Sequence, residues 1–231
     1  MLQKTGAGMT VYTLHDIQIE VPDWLQGTAI ERKIASGDYE GQEAHAARMR
    51  VKPGMQVLEV GAGLGYVSSV CAKMAGPANV VSLEANPKMI SAARANLMRN
   101  GCGDVLLEHG AVVGNGHHLE TVNFRAGGLF WGGSTLSVGE KRQDMISVPA
   151  YRIRPLLMEV RPRFVMLDVE GGEADLFKKP WPSFVRFVVL ELHPKKYENT
   201  TIKEIVDCMS ESGLTYDPVT SRGRTLGFMR A

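Results

Sequence analysis

From Met55 onward the chain alternates short apolar runs with helical patterns: "QVLEV", a glycine loop and a helix; "NVVSL", a loop and a helix; then "VLLEH". Unbroken apolar runs of this length are strands buried on both faces, and strands separated by helices build a parallel sheet covered on both sides. The rhythm resumes with "RFVMLDV", a short helix near Ala174 to Lys178, "FVRFVVLELH" and the helix "TIKEIVDCMSES". The last stretch, "LTYDPVTSRGRTLGFMRA", reads as two strands around a glycine-bearing turn, so the sheet closes with an antiparallel hairpin.

Ahead of this, "MTVYTLHDIQIEVP" alternates in strand fashion around His15-Asp16 and predicts a small hairpin. Two helical patterns follow, Thr28 to Ser36 and Glu40 to Arg50, ending at the turn "KPG". Residues 1–50 therefore read as a hairpin and helical appendage, and residues 51–231 as the main domain. Asn86-Pro87 predicts a helix start and Asn100-Gly101 its stop. Between Gly114 and Ala150 the periodicity fails, and the glycine-rich "GNGHHLETVNFRAGGLFWGGSTLSVGE" predicts an irregular or β-hairpin insertion.

Composition narrows the partners. The net charge of +1 comes from 26 basic and 25 acidic residues without a block of like charge, which points away from nucleic acid and from a membrane surface. A small-molecule substrate is the expectation that remains, with no sequence feature fixing an oligomeric state. Cys71, Cys102 and Cys208 are odd in number and lack ligand spacing, so they read as reduced thiols. The start of the chain has no apolar signal core and no run approaches the roughly 18 apolar residues of a membrane span, so a cytoplasmic location is expected.

The first candidate chemistry lies in "VLEVGAGLGYVSSV", a strand, a loop with Gly61, Gly63 and Gly65, and a helix from Tyr66. Dinucleotide loops use G-x-G-x-x-G spacing and offer a helix N-terminus to a pyrophosphate. Here the spacing is G-x-G-x-G, and Glu59 stands two residues before the first glycine. Beside a phosphate that carboxylate would cost on the order of 1 to 4 kcal/mol. Beside the ammonium and sulfonium of S-adenosyl-L-methionine it attracts. In "VVSLEANP", Glu84 and Ala85 end the next strand, where an acidic side chain reaches ribose hydroxyls in nucleoside-binding folds. Gly110 and Ala111, after the third strand, are small enough for backbone to approach an adenine ring. Taken singly, Glu59 also reads as a strand-end charge and Glu84 as a helix-capping acid; in this order and spacing they favour an adenosyl ligand.

These segments, with "DVEGGE" at Asp168 to Glu173 and "LELHP" at Leu190 to Pro194, resemble the FkbM-type family of class I S-adenosylmethionine-dependent methyltransferases, over roughly Gly37 to Leu192. The resemblance implies an α/β fold with a doubly wound, Rossmann-like sheet of seven strands, mostly parallel with the C-terminal antiparallel hairpin. It also implies S-adenosyl-L-methionine as methyl donor and O-methylation of a small metabolite or sugar hydroxyl. Tyr39-Glu40 matches an acidic pair of that family, which places Glu40 toward the donor's amino-acid end. Met166 stands where the family often has lysine, and "AYRIRPLL" where it often has Thr-Leu-Asp.

Methyl transfer from a sulfonium to a hydroxyl needs in-line alignment and a group that takes the proton. Asp168 closes a strand at the carboxyl edge of the sheet and is the first candidate; Glu170 lies two residues on. Glu173 falls in the first turn of the next helix, where a negative charge is favourable, and reads as a cap. Glu191 and His193 end the neighbouring strand, and His193 is the candidate general base, with a plain loop residue as the other reading. A weaker alternative joins Asp168, Glu170, Glu191 and His193 around Mg²⁺; no metal is the expectation. His109, His117 and His118 read as surface-loop residues, Arg142, Arg152 and Arg154 as solvated charges or as ligands of an anionic substrate, and Phe130 and Trp131 as a lid or a plain hairpin. The alternatives in function are an NAD(P)-linked oxidoreductase and a catalytically silent adenosyl-binding module.

Overall fold

Seven strands form the main sheet of the computed structural model, which describes residues 2–5, 9–125, 130–131, 145–169 and 171–230. In chain order the elements are β1 (Leu2–Thr5), β2 (Met9–Leu14), β3 (Ile17–Val21), α1 (Ala29–Ser36), α2 (Gly41–Arg50), β4 (Val57–Val60), α3 (Tyr66–Ala75), β5 (Val80–Glu84), α4 (Pro87–Arg99) and β6 (Leu106–His109). There follow β7 (Ala111–Val113), β8 (Thr121–Arg125), β9 (Phe130–Trp131), β10 (Met145–Arg152), α5 (Ile153–Val160), β11 (Phe164–Leu167), β12 (Phe187–Glu191), α6 (Asn199–Glu211), β13 (Leu214–Tyr216) and β14 (Thr225–Arg230). Strands β12, β11, β4, β5 and β6 run parallel, and β14 enters antiparallel between β12 and β13. The expected α/β sheet with a closing hairpin is therefore present.

The sheet is covered on both faces because its strands alternate between two cores. Val57, Phe164, Met166 and Val189 face one core with α2, α3, α4 and the β2–β3 hairpin. Leu58, Val60, Val165, Leu167, Val188 and Leu190 face the other, with α5 and α6. One-residue alternation in the strands is what makes each apolar run two-sided. The hairpin β2–β3 turns at His15, whose φ of 54° is left-handed, and Ile17, Ile19 and Val21 are buried in the first core. Helix α4 begins as its sequence predicts, with the Asn86 side chain accepting from Lys88 N–H and Pro87 in the first turn.

The insertion is a second, four-stranded sheet in the order β7-β10-β8-β9. Its residues 126–129 and 132–144, including Arg142, lie outside the described residues. The short helix expected at Ala174 to Lys178 is instead a 3₁₀ turn at Gly172–Asp175, entered through Gly171 with φ 107°. The two glycines draw the turn tight and early, which leaves too little length for an α-helix. Among the described residues no helix is long and apolar enough to cross a membrane.

Candidate functional site

A cleft of about 1150 Å³ opens at the carboxyl ends of β4, β5, β11 and β12. It is floored by Gly61, Gly63, Glu84, Ala85, Asp168 and Glu191, and Gly110 joins them from the end of β6. Tyr39 and Glu40 form one wall and the segment from Pro218 to Thr225 the other. Nine residues singled out along distant parts of the sequence thus meet on one surface.

The glycine loop owes its form to what surrounds it. Gly61 has φ 95°, and a Cβ there would lie 2.0 Å from the Asp168 carbonyl oxygen. The loop is pressed against the end of β11, so a side chain has no room and the wrong backbone geometry. A Cβ on Gly63 would meet the Tyr39 hydroxyl at 2.8 Å and Glu40 Oε1 at 3.0 Å, so the segment entering α2 packs directly on the loop. Glu84 ties the pieces together: Oε2 accepts from Gly63 N–H at 2.8 Å and Oε1 from Asn86 N–H at 2.7 Å. Burial raises its carboxyl pKa, against the pull of those backbone donors. Each carboxylate oxygen keeps a second lone pair for a hydroxyl in the cleft.

Two residues expected to touch the ligand do not face it. Glu59 is 1% exposed and sits beneath the loop, where its Oε2 accepts from Ser82 Oγ at 2.6 Å and from Ser68 Oγ. Its carboxyl is pushed up to about 7, chiefly by burial, with Glu84 adding and the serine hydrogen bonds opposing. Glu59 is level with Ser82, one pleat back from the strand ends that meet the cleft, and its side chain turns toward Ser68 of α3. Ala111 is fully buried in a small core with Ala85, Phe124 and Val148 and does not line the cleft. Gly110 lines it, but its small size is required from behind, since a Cβ would strike the Tyr151 ring at 2.4 Å and the Pro149 carbonyl at 2.8 Å.

Glu40 is held in the left-handed region at φ 45° at the start of α2, an unfavourable place for a non-glycine residue. Burial raises its carboxyl pKa well above the usual range; Tyr39 opposes by hydrogen bonding, while Asp168, Glu59 and Glu43 add to the rise. A cation in the cleft would relieve that crowding of carboxylates.

Asp168 reaches the cleft with a side chain 25% exposed, while His193 lies behind it, 7% exposed and outside the lining. The two approach at 3.6 Å, Asp168 Oδ1 to His193 Nε2. On its other side the imidazole Nδ1 meets Glu173 Oε1 at 2.9 Å, and Glu173 is fully buried. Reading Glu173 as a helix cap missed this. Its position in a first turn is as expected, but the tight glycine turn aims the carboxylate into the protein, at a ring twenty residues further on. Glu170 lies outside the described residues.

Asp168, Glu191 and His193 bring ligand-type atoms within 4.8 Å of one another. Glu191, however, is already neutralised by Arg224 at 2.6 Å, so the trio is not assigned as a metal site. The second wall is tied to α2 by Arg50, which donates from Nε and Nη2 to the buried Asp217 at 2.7 and 2.6 Å, and by Thr225 Oγ1 donating to Glu43 at 3.0 Å. His109 supports the floor from below, its Nε2 lying 3.1 Å from the Ala85 carbonyl. His117 and His118 lie on the surface as expected.

Comparison with known proteins fits this geometry. Residues 41–117 match the family model "Protein-L-isoaspartate(D-aspartate) O-methyltransferase (PCMT)". Two curated relatives are the protein-L-isoaspartate O-methyltransferases of Methanothrix thermoacetophila, 46% identical over 36% of this chain and 43% of that protein, and of Hyperthermus butylicus, 39% identical over 29% and 30%. The chain thus spans less than half the length of the curated relatives it matches. Among solved structures, the ribosomal protein L11 methylase of Lactobacillus delbrueckii subsp. bulgaricus is similar over 96% of this chain and 98% of that one, at 15% identity and a TM-score of 0.51. The expected small-molecule substrate is overturned here, because the relatives are named for a protein acceptor. The fold is that of the class I methyltransferases, and the stretch carrying the glycine loop is similar to that of enzymes named for methylating protein.

Proposed function

We propose that this protein is an S-adenosyl-L-methionine-dependent O-methyltransferase whose acceptor is carried on a polypeptide. The observation that carries this reading is the meeting of the left-handed glycine turn, the Glu84 carboxylate and Asp168 in one cleft at the carboxyl edge of the sheet. The donor would be held by Gly61, Gly63, Glu84, Ala85 and Gly110, with Tyr39 and Glu40 closing the near wall. When bound, it supplies a methyl group already activated on a cationic sulfur. The chain's own residues then align the acceptor and, where it is a hydroxyl, remove its proton; a carboxyl acceptor is already ionised near neutral pH.

The acidic floor suits a cationic donor: Glu40, Glu84, Asp168 and Glu191 all line the cleft. Asp168 abuts the glycine loop and is the group that takes the proton of a hydroxyl acceptor as the acceptor oxygen forms its bond to carbon and the carbon–sulfur bond breaks. His193 stands behind it as the base that shares this proton. The relatives' names support a polypeptide acceptor. "DVEGGE" and "LELHP", the segments that resemble the FkbM-type family, lie beyond the matched residues 41–117 and support transfer to oxygen. In this reading residues 51–231 are the methyltransferase domain, and the 1–50 appendage lends it the Tyr39–Glu40 wall.

The test is transfer of label from methyl-tritiated S-adenosyl-L-methionine to peptides carrying either isoaspartate or serine, threonine and tyrosine. Label in peptide supports the reading, and for a hydroxyl acceptor Asp168→Asn is expected to abolish transfer while S-adenosylhomocysteine, whose sulfur is uncharged, still binds. Base treatment separates a methyl ester on the first class from a methyl ether on the second. Label confined to low-mass compounds would overturn the polypeptide acceptor, and turnover with NAD(P) in place of the donor would overturn methyl transfer.

A further inference from the structure

The cleft carries opposite charges on its floor and on its far wall. Glu84, Asp168 and Glu191 on the floor and Glu40 on the near wall suit a cationic donor. Around them Arg222 and Arg224 line the cleft from the Pro218–Thr225 wall, Lys33 from α1 and Arg48, shared with Asp16 at 3.5 Å, from α2. Among the described residues two further acids line it: Asp38, whose Oδ2 accepts from Ser36 Oγ at 2.8 Å, and the buried Glu43, which accepts from Thr225 Oγ1.

A fixed turn presents the two arginines. Arg222 N–H donates to the Thr225 carbonyl and Thr225 N–H to the Arg222 carbonyl, both at 2.9 Å, which closes a two-residue hairpin turn around Gly223 and Arg224. Gly223 has φ 59°, as the first central residue of a type II′ turn requires, and a Cβ there would meet nothing closer than the Gln42 amide at 3.8 Å. Space does not demand glycine at this position; the turn does. The turn is clamped on both sides, by Leu192 N–H donating to the Arg224 carbonyl at 2.9 Å and by the Thr225 hydroxyl on Glu43 of α2. Thr225 stands opposite Glu191 in the β12–β14 register, so the turn lies beside the strand end that meets the cleft.

The two guanidinium groups are differently engaged. Arg224 meets Glu191 Oε1 through Nη2 at 2.6 Å while its side chain stays 60% exposed, so it cancels one floor charge and keeps donors on its other nitrogens. Arg222 is exposed and, among the described residues, has no side-chain hydrogen bond or ion pair. A carboxylate entering the cleft is repelled by Glu40, Glu84 and Asp168 and needs cations held beside its path. Planar guanidinium groups on a clamped turn meet that need, because their donors match a carboxylate and little ordering of the backbone is left for binding.

We propose that Arg222 and Arg224 form an anion-recognition element that selects polypeptide acceptors carrying a carboxylate at or beside the methylated group. This rests on the methyl-transfer reading for its purpose and narrows its acceptor. The carboxylate has two sources, the acceptor group itself in an isoaspartyl residue, or an aspartate or glutamate next to an acceptor hydroxyl. Both present the same planar anion to the turn, which binds and orients it and takes no part in the bonds that form and break.

The test measures binding and transfer separately on the full chain. Three dye-labelled peptides of otherwise matched sequence carry isoaspartate with glutamine flanks, serine with glutamate flanks, or serine with glutamine flanks. Fluorescence anisotropy reads their affinity in the presence of S-adenosylhomocysteine. One or both of the first two are expected to bind about tenfold or more tightly than the third, with the preference shrinking in added salt. The isoaspartate arm reports a carboxylate of the acceptor itself and the glutamate arm one beside it. Arg222→Gln, a change at an exposed position, is expected to narrow the preference about tenfold, and Arg222→Glu to reverse it. Arg224→Lys, which keeps a cation beside Glu191 but loses the planar donors, is expected to narrow it as well. A wild type that binds all three peptides alike, as two merely solvated arginines would have it, or a preference unchanged in Arg222→Gln and Arg222→Glu, would overturn the proposal. If charged peptides bind through the arginines and take no label from the tritiated donor, the polypeptide acceptor falls and the anion site stands. If label passes to peptides without regard to their charge, the acceptor stands and the anion site falls.

Discussion

Replacing Glu59 by glutamine isolates the carboxylate buried beneath the glycine loop. Glu59 is 1% exposed, and burial, reinforced by Glu84 and opposed by the Ser68 and Ser82 hydroxyls, carries its pKa from 4.5 to about 7. A carboxyl with a raised folded-state pKa holds its proton more tightly when folded. Its contribution to stability is therefore complete below pH 4.5 and is lost as pH rises through about 7. A gap of roughly 2.5 units at about 1.4 kcal/mol each makes the loss about 3 kcal/mol by pH 8. Glutamine does not titrate, and its carbonyl oxygen still accepts from both serines. Urea denaturation at pH 5, 6, 7 and 8 should then show Glu59→Gln gaining on the wild type across this range, by about 3 kcal/mol at the top. For a chain of this size that is about 6–12 °C in Tm. Comparing the two proteins cancels the titrating groups that do not interact with Glu59; Glu40 and Glu84, which do, lose a repelling charge in the variant and shift with it. Parallel pH profiles would refute the buried-acid account, and a tenfold or greater fall in S-adenosylhomocysteine affinity would return Glu59 to the ligand.

Other substitutions test the remaining geometry. Gly61→Ala places a Cβ 2.0 Å from the Asp168 carbonyl at a φ of 95°, so it should destabilise by about 2 kcal/mol or more in urea and weaken S-adenosylhomocysteine binding in calorimetry. Glu84→Gln leaves one oxygen for two backbone donors and should cost about 1–3 kcal/mol, with a matching loss of affinity. Arg50→Ala strands the buried Asp217 carboxylate and should cost about 3 kcal/mol near neutral pH. Burial raises the Asp217 pKa, but hydrogen bonds from Arg50, Thr220 and Val219 N–H outweigh it and hold the carboxyl below its usual value. The pair's contribution is thus present above the unfolded carboxyl value and lost on acidification, so the Arg50→Ala deficit should shrink as pH falls below about 4.

Much of the fold was legible because its signals are local. Apolar runs such as "VLEV" and "FVML" need only be buried on both faces to read as parallel strands, and Asn86-Pro87 marks a helix start through its own hydrogen bond. The glycine loop, Glu84 and Asp168 were legible too, because strand ends at the carboxyl edge converge whatever the connections between them. What did not read locally was direction. Glu59 and Glu84 look alike in sequence and share a sheet face, yet Glu59 lies level with Ser82, one pleat back from the strand end, while Glu84 ends its strand and reaches the cleft. Glu173 carries the ordinary signature of a helix start, and only the approach of the "LELHP" turn, through Gly171 and Lys196, reveals a partner for it. Gly110 invites a ligand-side explanation, while the ring that requires it comes from Tyr151 near the end of β10, a strand most of which lies in the stretch where periodicity fails.

The central claim is that the cleft between Tyr39–Glu40 and the Pro218–Thr225 segment binds an adenosyl methyl donor. Calorimetric titration of the purified chain with S-adenosylhomocysteine, with NAD⁺ and NADP⁺ as parallel titrants, tests it most directly. The account predicts saturable one-to-one binding of S-adenosylhomocysteine, weakened by Glu84→Gln, and no heat of binding from either dinucleotide. Binding of a dinucleotide with none of S-adenosylhomocysteine would contradict it.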